Sequence, residues 1–92
     1  MGFFFPDSKK KITKTEFSEL RGHLASNDFT HDEIDRIEGI FYADLIEERE
    51  EDKGIDEEEM KRGLEGMRSH LESHRISVKK IDILEREMRE FL

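Results

Sequence analysis

Phe29-Thr30-His31-Asp32-Glu33-Ile34-Asp35-Arg36-Ile37 decides the fold, because its construction returns as Ile76-Ser77-Val78-Lys79-Lys80-Ile81-Asp82-Ile83-Leu84. Each stretch opens with an apolar residue and a hydroxyl side chain, and an Ile-Asp pair then begins an amphipathic run. A hydroxyl there accepts a hydrogen bond from the first turn of a helix, and the apolar residue before it packs on the one five positions later. Phe29 with Ile34 and Ile76 with Ile81 stand at that spacing. Glu33 completes the reciprocal capping box in the first stretch; Lys80 stands in its place in the second, the weakest start in the chain.

Two further starts follow the same grammar. Thr13 with Glu16 is flanked by Ile12 and Phe17, and Asp56 with Glu59 by Ile55 and Met60. Four helices are therefore expected, at about 13–25, 30–51, 56–73 and 77–91, forming an all-α domain over 13–92 behind a flexible arm over 1–12. Their inner faces read Phe17, Leu20, Leu24; Ile34, Ile37, Phe41, Leu45; Met60, Leu64, Met67, Leu71; and Ile81, Leu84, Met88 with Phe91 or Leu92. Ser26-Asn27-Asp28 has turn chemistry, and Gly54 reads as the left-handed stop after the second helix. Gly63 and Gly66 lie inside the third helix, where each costs about 1 kcal/mol relative to Ala, so the close approach of another backbone is expected there.

At an offset of 47 without gaps, identities fall at Lys14/Lys61, Arg21/Arg68, His23/His70, Leu24/Leu71, Ser26/Ser73, Ile34/Ile81, Asp35/Asp82, Glu38/Glu85 and Leu45/Leu92. Helical periodicity alone does not require the shared Arg-x-His-Leu-x-Ser run. Two helix-loop-helix units are read, packed around a pseudo-twofold axis with Phe29 and Ile76 expected to meet across it in a minimal strand pairing; a plain four-helix bundle would satisfy the same stripes. Asp35 and Asp82 are read as favouring the positive ends of their helices and pairing with Arg21 or Arg68.

These residues resemble the paired EF-hand family. Leu20-x-x-x-Leu24 then Phe29-Thr30-x-x-Glu33-Ile34-x-x-Ile37-x-x-x-Phe41 is similar to its helix, loop and second helix. So is Met67-x-x-x-Leu71 then Ile76-Ser77-x-x-Lys80-Ile81-x-x-Leu84-x-x-x-Met88. The resemblance covers most of the chain after Thr13 and implies a scaffold that seats a partner helix in an apolar groove. It departs at the calcium chemistry. Ala25-Ser26-Asn27-Asp28 and Glu72-Ser73-His74-Arg75 are too short for an oxygen cage and lack the turn glycine, and Lys80 replaces the terminal carboxylate. No calcium site and no cofactor are expected.

Composition narrows function further. Of the 92 residues 43% are charged and 34% hydrophobic, so regularly spaced apolar residues are expected in the core and apolar residues off the stripe become informative. The net charge of -8 weighs against nucleic acid, whose phosphates supply most of such affinity, and against anionic lipid. A helix-turn-helix regulator would have to use the fourth helix, where Lys79, Lys80, Arg86 and Arg89 are offset by Glu85, Glu87 and Glu90. Phe3-Phe4-Phe5 is cut off by Pro6, so neither a signal peptide nor a membrane span is expected, and Pro6 also breaks the myristoylation pattern after Gly2. A cytoplasmic protein without cysteine chemistry is the expectation.

No phosphate loop or nucleophile motif is present, so an enzyme is not expected. His70 and His74, four apart, would share one side of the third helix and form the alternative of a small metal-binding regulatory protein; they do not match the His-Glu-x-x-His signature. Ile40, Tyr42 and Ile46 lie off the inner stripe of the second helix. With Ile83 and the Phe3, Phe4, Phe5 run they form the expected docking surface for a protein partner or a second copy.

Overall fold

The computed structural model describes residues 10–47 and 53–92. The described helices are α1 (Lys14–Ser26), α2 (His31–Leu45), α3 (Glu57–Ser69), α4 (Leu71–His74) and α5 (Val78–Arg89). α1 packs on α2 and α3 on α5; α1 also meets α5 and α2 meets α3, so the four long helices form a ring around one core. Most of residues 1–12 and the span 48–52 lie outside the described residues, and with them Phe3, Phe4 and Phe5.

The long helices begin where their caps predict. Thr13, Thr30 and Asp56 each accept the backbone N–H three residues on, while Glu16, Glu33 and Glu59 accept the cap residue's own N–H. Ser77 accepts the Lys80 N–H, but a lysine has no acceptor to return, so that box is half made. Every staple residue is buried: Ile12 and Phe17, Phe29 and Ile34, Ile55 and Met60, Ile76 and Ile81. Each such side chain contributes about 1.5–3 kcal/mol relative to exposure, which outweighs one cap.

Helix ends depart from the sequence reading. α2 stops at Leu45 with Ile46 as its cap, well short of 51. Gly54 has a left-handed φ of 101°, yet it is not the residue after the helix. Its N–H reaches back to the Asp44 carbonyl at 2.8 Å, and a Cβ there would stand 2.9 Å from the Ile12 carbonyl oxygen. The third helix breaks at His70, with φ -133° and ψ 51°, so a four-helix count becomes five. Leu71, expected on the inner face, is turned outward and is 36% exposed.

That break has a simple arithmetic consequence. α1 and α3 are each 13 residues long, and Asp56 follows Thr13 by 43 positions, whereas Ser77 follows Thr30 by 47. The four residues of α4 make up the difference, so the caps of α2 and α5 stand at the offset of 47 while those of α1 and α3 do not.

The expected pairing of Phe29 with Ile76 does not form. The isolated bridge among the described residues joins Ile12 and Ile55, through N–H to carbonyl bonds of 2.8 and 2.9 Å. The reason is local: the Phe29 N–H is taken by the Leu24 carbonyl and the Ile76 N–H by Nδ1 of His74. Asp28 and Arg75, the residues just before them, adopt left-handed φ of 70° and 59°, which turns each N–H back on its own hairpin.

Chemically equivalent ion pairs hold each hairpin. Arg21 on α1 donates to Asp35 and Glu38 on α2, and Arg68 on α3 donates to Asp82 and Glu85 on α5. Between the hairpins, Lys80 donates to Glu33 at 2.8 Å and to the Asp28 carbonyl at 3.1 Å, with its ammonium 5.4 Å from the Phe29 ring centre.

Candidate interaction surface

The outer side of α2 follows from its sequence. Ile34, Ile37, Phe41 and Leu45 point to the core at helical spacing, which leaves Gly39, Ile40, Tyr42, Ala43 and Ile46 to solvent. Ile40 is 41% exposed, Tyr42 50% and Ile46 42%. These five positions carry no charge, with exposed Arg36 before them and exposed Glu47 after them, in a chain that is 43% charged. Ile83, grouped with them from sequence, lies on α5 and packs partly buried against the core. Val78, which the sequence reading did not single out, and Leu71, which it placed on the inner face, are further exposed apolar residues.

Two depressions border this strip. Ile46 lines one of about 510 Å³ with Leu45, Thr13, Lys14, Thr15, Lys53 and Gly54. Ile40 lines the other, a groove of about 550 Å³ between α2 and α3, together with Arg36, Gly39, Arg62, Gly63, Gly66, Met67, His70, Ser73 and His74. Of its glycines, Gly63 is filled from inside: a Cβ there would come within 2.4 Å of the Phe41 ring. The close approach expected at Gly63 is thus made by an aromatic edge and not by a backbone. At Gly66 and Gly39 a Cβ would meet nothing within 4 Å, so these two positions keep the groove open.

The histidines do different work from that suggested by their spacing. Because α3 ends at Ser69, His70 and His74 do not share one helix face. The His70 Nδ1 donates to the Gly66 carbonyl at 3.0 Å. His74 is 6% exposed; its Nε2 donates to the Met67 carbonyl at 2.7 Å, and its Nδ1 accepts from the Ile76 N–H at 3.0 Å. Both nitrogens are therefore committed to backbone, which fixes the Nε2–H tautomer. His23 stands elsewhere, 3.3 Å from Glu87 and beside Phe91. Among the described residues no group of three or more histidines or carboxylates is placed to hold a metal ion.

The basic residues of α5, the one face considered for nucleic acid, are largely paired with acids: Lys80 with Glu33, Arg86 with Glu87, and Arg89 with Glu85 and Glu57. Arg89 and then Arg68 hold the Glu85 carboxyl below the ordinary carboxylate range, and Arg89 does the same for Glu57. Near the end of α2 the balance is reversed. Burial pushes the Glu59 carboxyl up, and the neighbouring charges of Asp44 and Asp56 push it the same way. Among the described residues no helix is long and apolar enough to cross a membrane.

No family model, curated protein or solved structure matches the chain.

Proposed function

We propose that this chain is a non-catalytic protein-interaction module that seats its partner, a protein or a second copy, on the outer side of α2. The observation that carries this reading is the uncharged strip Gly39, Ile40, Tyr42, Ala43 and Ile46, exposed on a chain of net charge -8. Completing the burial of Ile40, Tyr42 and Ile46, each about half exposed, would contribute about 1 kcal/mol apiece. That sum falls below the 4–15 kcal/mol cost of association, so the bordering depressions must take part.

The scaffold is read as a pair of EF-hand-like helix-loop-helix units that works without calcium. The duplicated Arg21 and Arg68 clusters and the left-handed Asp28 and Arg75 favour a duplication. On this reading the paired connectors are those entering α1 and α3, joined by Ile12 and Ile55, one helix away from the connectors the sequence pointed to.

Selection of a displayed helical-peptide library on the full chain tests the function. Binders are expected whose affinity is lost in Ile40→Glu, Tyr42→Glu or Ile46→Glu while circular dichroism stays helical. Binders indifferent to all three, together with unchanged sedimentation of the variants, would overturn it. Calcium and zinc are expected to leave the melting temperature where it is.

A further inference from the structure

Among the described residues, the groove between α2 and α3 is lined by two arginines and by no carboxylate. Arg21, Arg68, Arg86 and Arg89 each meet at least one carboxylate. Arg36 gives one guanidinium N–H to the His74 carbonyl at 2.8 Å, and among the described residues neither it nor Arg62 meets a carboxylate. Both line the groove. Its floor is apolar and open, with Ile40 and Met67 beside the empty Cβ positions of Gly39 and Gly66.

From this we infer that the groove takes an acidic amphipathic helix of a partner protein, with an aliphatic or aromatic side chain on Ile40 and Met67 and flanking carboxylates on Arg36 and Arg62. The inference rests on the interaction reading above and names the chemistry of the partner. Three physical points support it. Missing Cβ atoms at Gly39 and Gly66 let a backbone lie close to both helices. From Arg62 to Ser69 the α3 wall runs about 10 Å, which matches roughly two turns of an incoming helix. The overall charge of -8 does not forbid an acidic partner, because beyond a Debye length of about 8 Å at physiological salt the distant carboxylates are screened while the two arginines act at contact. A planar guanidinium also grips a carboxylate through two parallel N–H bonds, which adds orientation to attraction.

Three fluorescein-labelled helical peptides of equal length test this, sharing one Leu and Phe stripe and differing only in flanking Glu, Gln or Lys. Titrated with the full chain at low salt, the Glu peptide is expected to bind about tenfold tighter than the Gln peptide, and the Lys peptide more weakly than either. Arg62→Gln, at a residue that meets no carboxylate among the described residues, and the double variant Arg36→Gln/Arg62→Gln should shrink the Glu preference to about twofold. Affinity for the Gln peptide should fall by less than that for the Glu peptide. Glu and Gln peptides bound equally, yet both lost in Tyr42→Glu, would overturn the charge inference and leave the interaction reading standing. No binding of any peptide would overturn the inference, and the library selection then decides the wider reading separately. Displacement of the Glu peptide by decanoate at equal potency would assign the groove to a small carboxylate in place of a helix.

Discussion

At the scale of single residues, the side chains that looked defective or idle in sequence turn out to be committed. Lys80 spoils a capping box, and the same side chain reaches across to Glu33 and the Asp28 carbonyl. His74 reads as a metal candidate at a helix end, and instead it is buried between the Met67 carbonyl and the Ile76 N–H. His74→Ala strands both backbone groups and is expected to cost about 2 kcal/mol. Thermal unfolding should show this as a drop of roughly 10 °C, and a drop under about 2 °C would deny the ring its structural part. Glu59 gives a prediction of opposite sign. Its carboxyl is raised by burial and by Asp44 and Asp56, so the folded protein favours its protonated form. Stability is thus gained as pH falls through that raised value and withheld at neutral pH. Gln keeps an oxygen for the Asp56 N–H without the charge, so Glu59→Gln should melt higher than the parent at pH 7, with the gap closing as pH falls and the parent's carboxyl takes up its proton.

Elements were legible at their beginnings and obscure at their ends. A start signal is local: cap, box and staple lie within six residues, and each recognised start is occupied as read. The end of α2 is set from a distance, because Gly54 is held against Ile12 by the bridge and its N–H takes the Asp44 carbonyl. Nothing between Ile46 and Lys53 announces that stop. The break at His70 is likewise fixed by where the His74 ring goes, and Leu71 keeps a helical spacing it does not use. The exposed strip of α2 was readable because Ile40, Tyr42 and Ile46 leave the stripe; the groove was not, since it exists only once α2 and α3 are packed. The two glycines of α3 make the contrast measurable. Gly66→Ala meets open space and should stabilise by about 0.5–1 kcal/mol. Gly63→Ala drives a methyl into the buried Phe41 ring and should destabilise by about 1–3 kcal/mol despite its better helix propensity. Urea unfolding of the pair checks this, and equal midpoints would contradict the packing of α2 on α3.

For the molecule as a whole, carboxylates facing cations set the response to acid. Lys80 and the Thr30 N–H outweigh the burial that would raise Glu33; Arg21 lowers Asp35; Arg89 lowers Glu57 and, with Arg68, Glu85. A carboxyl whose folded pKa is depressed stabilises above its unfolded pKa and loses that contribution as pH falls through the folded one. Stability should therefore drop below about pH 4.5, and Lys80→Ala, which frees Glu33, should flatten the drop while costing about 1–2 kcal/mol at pH 7. A parent and a Lys80→Ala profile that run parallel would show that the two hairpins are not tied there. The same assembly leaves one uncharged strip to solvent, on which the proposed function depends, and the chain carries its own reporter of it. Tyr42 is the single tyrosine, and there is no tryptophan. Acrylamide quenching of tyrosine emission, measured on the free protein and on its saturated complex with a selected peptide lacking tyrosine and tryptophan, is the most direct test. Tyr42 readily quenched when free and shielded in the complex is the predicted result; equal quenching in both states would contradict docking on α2.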